Sequence, residues 1–294
     1  MTTDQARLGL GTNTFGAKVD QATAKRIIGA ALEEGVRFID SAEAYNDGES
    51  ERFIGAALGP RRGEAFIATK FSSDSDPRRA CEGSLRRLNT DYIDLYQMHA
   101  PSRNVPLLKT LDALSRLVQE GKVRAIGCSN FAGWQIADAD WTARSANLPH
   151  FTTAQNRYSL VETAAEQEVV PACLAFGLVI IAYLPLAAGL LTGKYHRGSQ
   201  PLPENRLSAD RRSAHYLADS MFDKVDALTR LSDEFGISLL SLAIGGLAAM
   251  PGVGTVITGV RSEAQIRLNA EAARWVPRPD ELEKIRQVTR LRSA

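Results

Sequence analysis

The chain has 294 residues, 44% hydrophobic and 23% charged, with 35 basic side chains against 34 acidic ones. A core of that size is stable without disulfide or metal staples, and a net charge of +1 supplies no field to hold a phosphate backbone, which argues against a dedicated nucleic-acid binder. Cys81, Cys128 and Cys173 are odd in number and far apart, which fits neither a disulfide framework nor a metal knuckle and suits a reducing cytoplasm.

In chain order, the first twenty residues lack the apolar core of a secretory signal. LGLGTNTFG (8–16) is rich in glycine, but Gly9, Gly11 and Gly16 miss the G-x-G-x-x-G spacing and no strong strand precedes them, so a Rossmann turn is rejected. Ala24, Ile27, Ile28, Ala31 and Leu32 recur at helical spacing. Short runs rich in Val, Ile and Phe then alternate with further helical stretches. The candidate strands are VRFID (36–40), EAFIATK (64–70), YIDLYQMH (92–99), VRAIGCSN (123–130), HFTTAQ (150–155), LVIIAY (178–183) and VGTVITG (253–259). Pro77 and Pro106 stand where helices begin, and Gly35 and Gly121 where they end.

The longest apolar stretch, 174–191, contains Gly177, Pro185 and Gly189 and reads as a buried strand entering a loop. A membrane-spanning helix needs about twenty apolar residues, so no membrane partner is expected. From 186 to 220 the chain turns polar, with Gly193, Gly198, Pro201 and Pro203 and a basic cluster at Arg206, Arg211 and Arg212. Loops this long are usually functional. GLLTGKY (189–195) has the wrong spacing for a Walker loop, and the four histidines, His99, His150, His196 and His215, lack metal-ligand spacing, so no metal is expected.

Strand followed by helix, about seven times over, implies a parallel sheet with helices outside. An open doubly wound sheet and a closed (β/α)8 TIM barrel both satisfy the pattern. An eighth strand is hard to see, and 269–273 is a weak candidate. The expectation is one α/β barrel domain over 1–294, with a long loop after the sixth strand.

A polar side chain ends nearly every candidate strand: Asp40, Lys70, His99, Ser129 with Asn130, Gln155, Tyr183, and Thr258 with Arg261. In a (β/α)8 barrel those ends meet on the face that carries active sites. Loops are polar anyway, but Asp, Lys and His are costly at the mouth of apolar strands without partners. Tyr45 lies on the loop leaving the Asp40 strand. A free phenol is too weak an acid at neutral pH, an adjacent Lys70 ammonium should lower its pKa, Asp40 could keep Lys70 charged, and His99 could position an incoming oxygen. Such a group protonates a carbonyl oxygen as the carbon receives a hydride. Each residue alone has an ordinary structural explanation; only their joint placement carries the chemistry.

IDSAEAYNDGESERFIGAAL (39–58) resembles the signature of the aldo-keto reductases. ATKF (68–71), DLYQMHAP (94–101), IGCSNF (126–131), AQNRYSL (154–160), IAYLPLAAGLLTGKY (181–195) and PGVGTVITGVRSEAQIRLN (251–269) match in order, as does LGLGTNTFG, so the resemblance spans almost the whole chain. It implies an eight-stranded barrel with a nicotinamide cofactor along its carboxyl-end face, and a catalytic tetrad of Asp40, Tyr45, Lys70 and His99 with Tyr45 as proton donor. It further implies Ser129, Asn130 and Gln155 at the carboxamide, Tyr183 stacked on the nicotinamide, and Gly11 and Thr12 near its ribose. Leu186, Gly189 and Lys194 would wrap the pyrophosphate, and Gly259, Arg261, Gln265 and Asn269 the adenosine end. An Arg at a helix N-terminus favours a phosphate, so NADPH is expected over NAD. Leu184, Asn13 and Thr258 depart from the family pattern around the phosphates and the substrate pocket, not at the tetrad. Phe15, Trp134 and Phe222 are candidates for that pocket, with core packing the commoner role for each.

The expected activity is reversible reduction of a small carbonyl substrate. The alternatives are an NADPH-binding regulatory subunit and an isomerase using Lys70 as a Schiff base. Sequence fixes neither the substrate nor the oligomeric state.

Overall fold

In the computed structural model, residues 7–198, 207 and 213–290 are described. Eight short strands, β1 (Leu8–Gly11), β2 (Phe38–Asp40), β3 (Phe66–Phe71), β4 (Ile93–Met98), β5 (Val123–Ser129), β6 (Thr153–Arg157), β7 (Val179–Tyr183) and β8 (Val253–Gly259), pair in chain order. All pairs are parallel, and β8 returns to β1, aligning Gly11 with Gly259. The barrel is closed, so every strand end points to one mouth.

Helices α1 (Gln21–Glu33), α2 (Glu49–Leu58), α3 (Pro77–Leu88), α4 (Leu107–Gln119), α5 (Gly133–Ser145) and α6 (Val169–Phe176) each connect two strands. After β7 come α7 (Ser213–Tyr216), α8 (Asp219–Phe235) and α9 (Leu239–Ser241); α10 (Glu263–Ala273) and α11 (Pro279–Arg290) follow β8. The boundaries have local causes. Asp20 accepts from the Thr23 N–H at the start of α1, and Asp76 accepts from Arg78 and Arg79 at the start of α3, where Pro77 takes the first turn. Gly35 and Gly121 follow the ends of α1 and α4 in the left-handed conformation. Gly245 and Gly246, which interrupt a helical pattern, lie in a π-helical turn, where a side chain on Gly245 would strike the Trp275 carbonyl.

Phe38, Ala68, Leu95, Ile181 and Ile257 form a small core of their own at alternating, inward-facing strand positions. A much larger apolar layer joins the outer strand faces to the helices. Among the described residues, no helix is long and apolar enough to cross a membrane.

Two expectations are corrected. The missing strand is the first, Leu8–Gly11, whereas 269–273 lies in helix α10. Half of LGLG is glycine, which is depleted in strands, so its sequence signal is weak. The space explains the choice: a Cβ on Gly9 would sit 2.9 Å from Phe38 Cδ1, and one on Gly11 2.8 Å from Ile257 Cγ2. The stretch expected as a long loop therefore follows the seventh strand rather than the sixth. Its Pro201, Pro203, Arg206, Arg211 and Arg212 lie outside the described residues.

Candidate active site

Asp40 closes β2, Lys70 lies near the end of β3, and His99 is the first residue past β4. Their side chains meet at the mouth. Lys70 has no solvent exposure, and its ammonium donates to both carboxylate oxygens of Asp40 and to the Ser41 carbonyl, each at 2.7 Å. It also reaches the Tyr45 hydroxyl at 3.5 Å. Gln155 adds another donor to Asp40, Nε2 to Oδ1 at 2.8 Å. The His99 ring stands edge-on to Tyr45, with centroids 5.9 Å apart.

Electrostatics separate these groups. Burial pushes the Lys70 pKa down, but the Asp40 carboxylate, aided by the Tyr45 hydroxyl, reverses the sign and holds it above the usual lysine value. His99 is pushed down to about 4, first by burial and then by the Lys70 charge, so its imidazole is neutral at physiological pH. For Tyr45 the expected lowering is not found. Burial raises the phenol above its ordinary value, and the Lys70 ammonium opposes this without overcoming it. Desolvating a phenolate outweighs a cation at the outer limit of hydrogen-bond distance.

The loops behind the tetrad are tied by buried hydroxyls. Ser50 Oγ lies 2.7 Å from Thr12 Oγ1 and 2.9 Å from Ser41 Oγ, and Thr12 donates to the Asp40 carbonyl. On the far wall Asn130, with φ of +60°, donates to the His99 carbonyl and to Ser129 Oγ and accepts from the Tyr183 hydroxyl at 2.7 Å. That bond anchors the Tyr183 hydroxyl to the β5 end.

From the tetrad a cavity of about 880 Å³ runs across the mouth to the start of α10. Sixteen of the seventeen residues expected in the tetrad and the cofactor site line it: Asp40, Tyr45 and His99, with Gly11, Thr12, Ser129, Asn130, Gln155, Tyr183, Leu186, Gly189, Lys194, Gly259, Arg261, Gln265 and Asn269. Lys70 lies beneath, touching it through Asp40 and Tyr45. At the far end the Lys194 ammonium is pushed below its ordinary value by burial and by the charge of Arg261, so the two cations face a common space. Gly189, with φ of +101°, brings the backbone close to Lys194. Gln265 does not simply reach outward: its Oε1 accepts from the Arg261 backbone N–H at 2.7 Å, capping the loop before α10.

Sequence reasoning missed Thr14, Ala17 and Lys18, which continue the wall past Asn13, as well as Leu240 and Leu268. The first three lie between β1 and α1, and with β1 unrecognised the extent of that loop at the mouth was not marked. Phe15 and Phe222 are buried in the core, and Trp134 is exposed; none of the three lines the cavity.

A profile of the aldo/keto reductase family matches residues 7–290. The chain belongs to the aldo/keto reductase family. The chain is 37% identical to "Uncharacterized oxidoreductase YrpG" of Bacillus subtilis, an alignment covering 89% of this chain and 85% of that one. It is 34% identical to "Probable voltage-gated potassium channel subunit beta" of Arabidopsis thaliana, over 94% of this chain and 90% of that one. Among solved structures, an aldo-keto reductase from Klebsiella pneumoniae in complex with NADPH superposes with a TM-score of 0.77 at 29% identity, covering 96% of this chain and 90% of that one. The barrel mouth described above is thus that of an aldo/keto reductase, an oxidoreductase by family.

Proposed function

We propose that this aldo/keto reductase reduces an aldehyde or ketone to the alcohol, reversibly, with NADPH as cofactor and Tyr45 as proton donor. The observation that carries the reading is the contact of Lys70 with Asp40 and Tyr45 beside a neutral His99, at one end of a cavity whose other end gathers Lys194 and Arg261.

The donor set fits a dinucleotide phosphate. Lys194, Arg261 and the N-terminus of α10 suit anionic phosphates, including a 2′-phosphate that NAD lacks. Ser129, Asn130 and Gln155 offer amide and hydroxyl partners for a carboxamide, and Tyr183 offers a flat ring to stack against. NADPH, when bound, supplies the hydride.

The chain's own residues manage the proton. With its pKa raised by burial, Tyr45 is protonated across physiological pH and always ready to donate. As the proton leaves, negative charge develops on the phenol oxygen, and Lys70 is already placed to stabilise it. Asp40 and Gln155 keep that ammonium charged and oriented. His99, neutral, can donate a hydrogen bond to the carbonyl oxygen without competing as an acid. The three buried thiols suit a reducing compartment such as the cytoplasm.

The likeness to a channel subunit favours a second reading, a subunit that binds NADPH with little turnover. One assay separates the two. Following NADPH absorbance with a panel of aldehydes, α-dicarbonyls and keto-sugars, Tyr45→Phe should lower kcat by at least about 10²-fold while NADPH affinity is nearly unchanged. Equal turnover by both proteins would remove the proton-donor assignment.

A further inference from the structure

Tyr45 begins a turn with an unusual backbone. Asn46 (φ 52°, ψ 50°), Asp47 (φ 54°, ψ 37°) and Gly48 (φ 81°, ψ 1°) are three consecutive left-handed residues. L-residues visit that region singly, Asn and Asp more readily than most. A run of three therefore has to be held by its surroundings.

Two contacts hold it. Asn46 Nδ2 donates to the Phe15 carbonyl at 2.6 Å and to the Asn13 carbonyl at 3.2 Å, both in the loop between β1 and α1. On the other side Gly48 lies against Arg87, whose Cδ would be 2.5 Å from an added Cβ, and Arg87 is fixed by the buried Glu51. The turn is clamped between a cavity wall above and an ion pair below.

The clamp acts on a distance that has no slack. Tyr45 meets Lys70 at 3.5 Å, the outer edge of hydrogen bonding, so a shift of a few tenths of an ångström decides whether the ammonium stabilises the phenolate. We propose that Asn46 is a positioning residue, pinning the 45–48 turn to the β1–α1 loop and thereby setting the separation between the Tyr45 hydroxyl and Lys70. This inference rests on Tyr45 being the proton donor. Asn46 suits the role because it tolerates the left-handed backbone and also carries a donor; Gly could do only the first.

That division defines the test. Asn46→Gly keeps the backbone freedom and removes both bonds, and Asn46→Asp keeps the size and the left-handed tolerance but loses the donor. Both variants are compared with the parent and with Tyr45→Phe, counting active sites by NADPH fluorescence titration so that unfolded protein does not enter kcat. In both Asn46 variants kcat should fall by roughly 10- to 10²-fold, the scale of a small misplacement at a reacting group, with NADPH affinity held within about twofold. The alkaline limb of kcat for reduction should move to higher pH, because a phenol further from the ammonium holds its proton longer. A purely structural residue would leave that limb in place. Full kcat in Asn46→Gly, an unmoved alkaline limb, or a parallel loss of NADPH affinity would each overturn the proposal while leaving the proton-donor reading intact. Undiminished turnover by Tyr45→Phe would overturn both.

Discussion

Asp40 and Asp94 are carboxylates buried in the wall of one barrel at opposite ends, and the chain surrounds them differently. Asp94, near the amino end of β4, accepts from Arg62 at 2.7 Å, Arg124 at 2.8 Å and the Ile67 N–H at 2.9 Å. The two guanidiniums lie 4.1 and 3.8 Å from the centroid of the Tyr92 ring. Arg62 further donates to the Ala65 and Tyr92 carbonyls. This is a locked arrangement, because a guanidinium keeps its charge at any pH the protein meets and its planar fork fixes geometry. Asp40, at the carboxyl end of β2, is instead paired with a lysine and an amide, and the lysine also touches a phenol that opens onto the cavity. Held there, the ammonium stabilises the negative charge left on the phenol oxygen when its proton departs. Similar buried charge serves rigidity at one end and proton transfer at the other, and the choice of arginine or lysine marks which is which.

The largest effect should come from breaking the mouth pair. Lys70→Met leaves Asp40 buried without its cation, so stability should fall by about 3–5 kcal/mol, and kcat per folded site should fall by roughly 10²- to 10⁴-fold. Urea unfolding and NADPH-linked turnover measure the two losses separately. Loss of stability with turnover retained would mean that the mouth cluster is structural like the lower one.

The lower cluster gives the converse. Arg62→Met should cost about 3 kcal/mol, the low end of the range because Arg124 still faces Asp94. Turnover per active site, counted by NADPH titration, should match the parent. A kcat that falls along with stability would show that the two ends of the barrel are coupled, and the contrast drawn between them would not stand.

How much of this was legible in the sequence follows from the same contrast. Strand ends carrying Asp40, Lys70, His99 and Gln155 could be read because a charged or amide side chain after an apolar run is conspicuous. β1 could not, because its residues were selected for space: Gly9 and Gly11 leave room for Phe38 and Ile257, and that requirement leaves no hydrophobic pattern. The wall at Thr14, Ala17 and Lys18 went with it. The sign of the Tyr45 shift was also beyond reach, since it depends on how deeply the ring is buried and on a separation of 3.5 Å, and neither is a property of spacing along the chain. Nor could sequence foresee that Gln155 bonds Asp40, or that the Tyr183 hydroxyl bonds Asn130. Side-chain partners across the barrel emerge only when it closes.

The smallest effect concerns His99, where the comparison can be sharpened with pH alone. Its pKa is pushed down to about 4, against about 6.5 for a free imidazole. The folded protein therefore keeps the ring neutral while the unfolded chain takes up a proton as pH drops below about 6.5. Uptake by the unfolded state alone favours unfolding, so the stability present above that pH is lost progressively down to about 4. Allowing for the partial exposure of the ring, the loss is about 2 kcal/mol. His99→Asn removes this titration, so melting temperature plotted against pH should fall less steeply in the variant than in the parent across that window. Every other group is common to the two proteins and cancels in the difference. Parallel curves would mean that the fold does not shift His99, and below about pH 6.5 its imidazolium beside Lys70 would then compete with Tyr45 as the acid.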